Sequence, residues 1–201
     1  MSKILSKILE SLTNTIAAGV ALAAVLFIIY LAQGFVASDF GPFFFRWLHV
    51  LSGVMWIGLL WYFNFVQIPS MPKIPDEQKP AIGKVIAPAA LFWFRWAAMA
   101  TIVTGLILAG LNGYLVDAIM IGQADGVAKH AAIGIGMWLG AIMWFNVWFV
   151  IWPNQKKVLG LVEASDDEKK KAARTAMLFS RTNTLLSIPM LYAMVSAQNL
   201  F

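Results

Sequence analysis

The sequence contains no cysteine. That absence excludes disulfides, thiolate metal sites, iron–sulfur clusters and a covalently attached c-type haem. Charge is the second shortage. Only 12% of the 201 residues are charged, against about 25% in an ordinary soluble domain. Hydrophobic residues make up 60%. A soluble globular domain, a disordered chain and a nucleic-acid binder are all excluded by that balance. Histidine is scarce too, with His49 and His130 the only two. What is abundant is aromatic: nine Trp and fourteen Phe, suited to the belts at the two faces of a bilayer.

The gaps between charges set the architecture. A helix crossing the hydrocarbon core needs about 20 apolar residues. The charge-poor stretches predict five transmembrane helices at 13–36, 43–67, 88–113, 128–152 and 176–199, forming one all-α integral membrane domain over 1–201. Barrel strands would alternate in polarity, and these stretches do not. The first apolar run is too long for the core of a signal peptide and is read as a retained helix. The stretch from Pro69 to Pro80 reads as a loop, and Asp166–Lys171 as a polar helix start or a solvated connection.

Basic residues divide unevenly between the two ends. Lys3, Lys7, Lys73, Lys79, Lys84, Lys156, Lys157, Lys169, Lys170, Lys171 and Arg174 fall at one end, and only Arg46 and Lys129 at the other. The positive-inside rule then predicts a cytoplasmic N-terminus and a periplasmic C-terminus in a bacterial inner membrane.

Helices two and four share marks in the same order. One reads His49, Gly53, Met55-Trp56, Gly58, Asn64, and the other His130, Gly134, Met137-Trp138, Gly140, Asn146. The following helices match weakly at Leu91-Phe-Trp-Phe-Arg95 and Met177-Leu-Phe-Ser-Arg181. Helices 2–3 and 4–5 would therefore form a parallel repeat about an axis along the membrane normal.

Three motifs carry a family resemblance. They are Arg46-Trp-Leu-His49 with Gly53 and Trp56-Ile-Gly58, then Asn146-Val-Trp-Phe-Val-Ile-Trp-Pro153-Asn-Gln155-Lys, then Ser180-Arg-Thr-Asn183 through Pro189 to Ser196. Together they resemble the membrane domain of the bacterial membrane-bound urate oxidases (urate hydroxylases). In that family a cytochrome c domain follows the membrane domain. The expectation here is a shortened relative without it. Thr182 and Gln198 stand where the family pattern has His, so the isolated chain is not expected to oxidise urate.

Polar residues inside apolar helices are the candidate site residues. His49 and His130 both sit toward the outer end, each with glycine four residues on, Gly53 and Gly134, on the same helix face. Histidine is an axial ligand of haem iron, and a porphyrin needs close backbone approach. The pair predicts a b-type haem, with Arg46 and Lys129 placed to meet its propionates. Two histidines that hydrogen-bond neighbouring helices are the competing reading. No carboxylate is expected near them, which argues against zinc. Arg95 and Arg181, with Asn64 and Asn146, lie in the inner half and are candidates for an anion site. Gly136 and Gly140 form a small-xxx-small pair for close helix contact.

Three function classes stay open. One is a cytochrome b-like electron-transfer subunit, passing electrons to an outer-side cytochrome c. A second is an accessory subunit of a respiratory or photosynthetic complex, held among other membrane subunits and lipids. The third is a urate or purine oxidase membrane component.

Overall fold

A computed structural model describes residues 3–36 and 39–201. Every regular element among the described residues is helical. The chain divides into two compact units, Met1–Phe43 and Phe44–Phe201.

The first unit holds α1 (Lys3–Leu9), α2 (Leu12–Ala32) and the start of α3. Ser11 caps α2 by accepting from the Asn14 backbone N–H at 3.4 Å. α2 is apolar all round and has no buried residue. That is the composition of a helix whose solvent is lipid.

In the second unit α3 continues to its end (Phe40–Lys73), followed by α4 (Lys79–Leu111), the short α5 (Leu115–Ile119), α6 (Ala128–Val158) and α7 (Asp166–Asn199). α2, α3, α4 and α6 are long and apolar enough to cross a membrane. At their lysine-bearing ends α3, α4, α6 and α7 run further than the sequence predicts, because the flanking lysines continue them, whereas α2 stops at Ala32, short of the predicted 36. The Pro69–Pro80 stretch is accordingly no simple loop: helix persists to Lys73 and resumes at Lys79.

Prolines leave a consistent trace in these helices. Three π-helical segments, Tyr62–Gln67, Ile82–Ile86 and Asn146–Ile151, each end two residues before a proline: Pro69, Pro88 and Pro153. A proline lacks an N–H and its ring collides with the carbonyl four residues back. Those carbonyls belong to Phe65, Lys84 and Phe149, each inside its π segment. Widening the helix there moves the carbonyl off the ring. Pro189 in α7 is carried without such a segment.

α7 begins with a capping box. The Ser165 hydroxyl accepts from the Glu168 backbone N–H, and the Glu168 carboxylate accepts from the Ser165 N–H at 2.8 Å. Its buried seam runs Ala172, Ala176, Ser180, Asn183, Ser187, Met190, Ala197, while Leu178, Leu185, Ile188, Tyr192 and Val195 are exposed. Small and polar side chains face in, large apolar ones face out. That reverses the pattern of a soluble helix and matches helix packing in lipid.

The core brings together Trp56, Leu60 and Phe63 of α3, Leu91, Phe94 and Ala98 of α4, Met143 and Val147 of α6, and Ala176 and Met190 of α7. A smaller cluster of Ala118, Ile133 and Ala197 ties α5 to α6 and α7.

Candidate functional site

The two halves of the bundle carry different polar groups. At the end bearing the histidines, His49 of α3 lies against α4. Its Nδ1 is 2.9 Å from the Thr101 carbonyl oxygen and 3.3 Å from the Thr104 hydroxyl. A carbonyl only accepts, so this hydrogen bond requires the proton on Nδ1. Gly105 makes room for the ring: a Cβ there would sit 2.9 Å from His49 Cε1.

His130 opens α6. Its Nδ1 contacts the Asp125 carboxylate, and its ring stacks on Tyr114 at 5.7 Å between centroids, 25° between planes. Asp125 also accepts from the Val127 N–H at 3.0 Å. That backbone bond, helped by His130, holds the Asp125 carboxyl below the usual carboxylate range. Burial pushes the Tyr114 phenol up, and the nearby Arg46 charge works against it. Arg46 itself is exposed. Asp117, Asp125 and His130 each offer a ligand atom within 4.8 Å of the others. The expectation of histidines without carboxylates therefore fails at His130. The 114–127 connection folds back through Ile121 and Gly122, at φ +53° and +67°, and delivers both aspartates.

Neither ring touches the other among the described residues. The glycines also part company. Gly53 has nothing within 4 Å of the place a Cβ would take, so its side of α3 is open. At Gly134 that place is only 2.1 Å from the Ala118 carbonyl oxygen. The flat space expected beside His130 is filled by the α5 backbone, and Gly134 serves α5 packing, not a planar ligand. A Cβ at Gly136 would stand 3.1 Å from the Met194 side chain, whereas one at Gly140 would meet nothing within 4 Å. The small-xxx-small pair thus makes a close contact at only one of its glycines.

In the opposite half Asn64 and Asn146 are buried. Both sit in π segments and both reach α7. Asn64 Nδ2 donates to the Leu60 carbonyl and the Ser180 hydroxyl, each at 2.8 Å. Asn146 Nδ2 donates to Asn183 Oδ1 at 2.8 Å, and Asn183 Nδ2 donates to the Met143 carbonyl at 2.9 Å. Arg95 lies over the Trp152 ring, its Cζ 3.4 Å from the centroid, with Nη1 buried and unpartnered. Arg181 is exposed. The expected anion site of two arginines is thus not assembled. α7 turns its small seam inward, which carries Arg181 outward, and Arg95 has an aromatic partner instead. Thr182 and Gln198 are exposed as well.

Between α3, α4, α6 and α7 this half contains a cavity of about 130 Å³, open at one side. Gln67, Gln155 and Ser180 are its polar lining, and Phe63, Leu91 and Phe94 are among its apolar walls. Gln67 Oε1 is buried without a hydrogen bond, and so is Asn64 Oδ1. The partners Thr101, Thr104, Gly105, Asp117 and Asp125 are not singled out by the sequence, and Ser180 and Asn183 stand in it only within the third motif. Two signals point to the first five: the Thr101-x-x-Thr104-Gly105 group within the uncharged stretch 96–111, and Asp117 and Asp125 in the connection ahead of His130.

No curated protein and no solved structure matches the chain. One family model, urate oxidase N-terminal, matches residues 114–200. The matched stretch holds His130, Asn146 and Asn183, and two of the three resembling motifs. From α5 through α7 the chain is urate oxidase N-terminal-like.

Proposed function

We propose that this chain is the membrane-embedded electron-transfer component of a urate oxidase-like system, holding a b-type haem through His49 and His130. The supporting observation is the state of the two imidazoles. Each has Nδ1 engaged by an acceptor, the Thr101 carbonyl or the Asp125 carboxylate. No hydrogen bond among the described residues engages either Nε2. A ligating histidine is commonly oriented in this way, with its second nitrogen donating to a carbonyl or carboxylate. Such a haem, when bound, carries one electron at a time. The residues would divide the work around it. Thr101 and Asp125 fix the tautomer and the ring planes, Gly53 leaves α3 open, and Arg46 brings positive charge to the same end.

The same reading has five spans, with α7 as the fifth on the strength of its outward apolar face. It places the basic end in the cytoplasm of a bacterial cell and the histidine end outside, in reach of a cytochrome c. The parallel repeat is supported by the π segments that hold Asn64 and Asn146 at matching places in α3 and α6.

An optical spectrum tests the haem. Protein purified with haem supplied should show a reducible Soret band. His49→Ala and His130→Ala should each abolish the low-spin form, and Thr182→Ala should preserve it. Absence of a reducible band from the haem-supplied protein overturns the proposal in favour of an accessory bundle subunit.

A further inference from the structure

We propose that the cavity between α3, α4, α6 and α7, at the end opposite the histidines, binds the head group of a membrane quinol. This goes beyond the haem reading and does not depend on it. Size comes first: at about 130 Å³ the cavity is below the roughly 300–1,000 Å³ of sites that enclose a whole drug-sized ligand, so it admits a single-ring head group with the tail left outside.

Chemistry narrows the class. No Lys, Arg, Asp or Glu lines the cavity, so a charged ligand would be buried without a counter-ion. Among the described residues, the one buried lining atom left without a partner is an acceptor. Gln67 lines the cavity and its buried Oε1 has no partner. Asn64, one turn earlier and 8% exposed, also leaves Oδ1 unmet. Its orientation is fixed, because Nδ2 already donates to Leu60 and to the cavity-lining Ser180. Buried acceptors without donors are costly. The fitting ligand is therefore neutral, largely apolar and equipped with O–H donors. A quinol has these, whereas a quinone offers only carbonyl acceptors. Phe63 and Phe94, 5.7 Å apart and edge to face, give the cavity an aromatic wall.

The backbone is adapted at the same place. The π segment of α3 ends at Gln67, that of α4 ends beside the lining Ala87, and that of α6 ends at the lining Ile151. Single π turns inside α-helices recur at functional sites.

The test titrates the full chain in lipid nanodiscs with decyl benzoquinol, and separately with its oxidised form, read by tryptophan fluorescence. Quinol should bind at least about tenfold more tightly than quinone, a gap of about 1.4 kcal/mol. Gln67→Leu and Gln155→Leu should weaken quinol by a similar factor at unchanged helical content. Asn199→Ala, at an exposed position outside the cavity lining, should leave its affinity alone. Equal affinity for quinol and quinone overturns the proposal. So does full quinol affinity in both folded glutamine variants. Saturable urate binding that Gln67→Leu removes, without quinol binding, overturns it in favour of a purine. If the glutamine variants do not fold, the quinol-over-quinone preference of the unaltered chain decides.

Discussion

Asn183 is the residue on which the centre of the bundle depends. It is fully buried, accepts from Asn146 and donates to the Met143 carbonyl. Alanine there leaves the Asn146 amide unpaired away from water and removes one of two bonds to the Met143 carbonyl, which keeps the Asn146 backbone N–H. The expected loss is about 1–2 kcal/mol, since interhelical polar contacts in membranes are weaker than their isolation suggests. Asn199→Ala, at an exposed position, should change stability by less than about 0.5 kcal/mol. Unfolding in mixed micelles compares the two. At this scale the sequence is partly legible. Asn64, Asn146, His49 and His130 stand out as polar groups in apolar runs. Their partners do not. The Thr101 carbonyl is backbone, and Ser180 and Asn183 lie on a helix already rich in polar residues. Arg181 resembles Arg95 in sequence, yet the one-sided seam of α7 sends it outward.

Helices are legible here through charge gaps, but their internal irregularities are not. A π segment alters the turn by one residue, which no hydrophobic periodicity resolves. Only its cause, a proline two residues beyond, is written in the chain. Packing between elements gives a sharp contrast at two glycines of α6. Gly134→Ala forces a Cβ onto the Ala118 carbonyl and should cost about 1–3 kcal/mol or more by overpacking. Gly140→Ala meets nothing within 4 Å and should be neutral or stabilising, because alanine is the better helix former. Thermal melting of both variants measures the difference. The start of α7 is pH-sensitive. Hydrogen bonds from Ser165 hold the Glu168 carboxyl below its ordinary value. A carboxyl depressed in the folded state stabilises fully above its unfolded pKa, about 4.3. The contribution disappears as pH falls through the folded value. Amide exchange at residues 166–169 should therefore accelerate below about pH 4. Glu168→Gln should flatten that dependence.

For the whole molecule, the uneven distribution of lysines carries the orientation. A reporter fused after Phe201 should be active only outside the cytoplasm. Activity on the inner side would reverse both ends and place the histidines opposite the proposed cytochrome c. The family likeness is legible from short motifs, and the matched stretch begins at Tyr114. The His49 motif lies before it and stands on its own residues. One feature of α2 extends to how the protein comes apart. None of its residues is buried; apart from the Phe27 ring against Phe35 and Phe40, its helicity owes little to side-chain packing and most to backbone bonds that lipid cannot replace. Heating should then abolish the near-ultraviolet signal of the tryptophan-rich bundle while a fixed portion of the far-ultraviolet helix signal persists. Melting will not be a single cooperative event, and a stability read from helicity alone will overstate how much of the bundle survives.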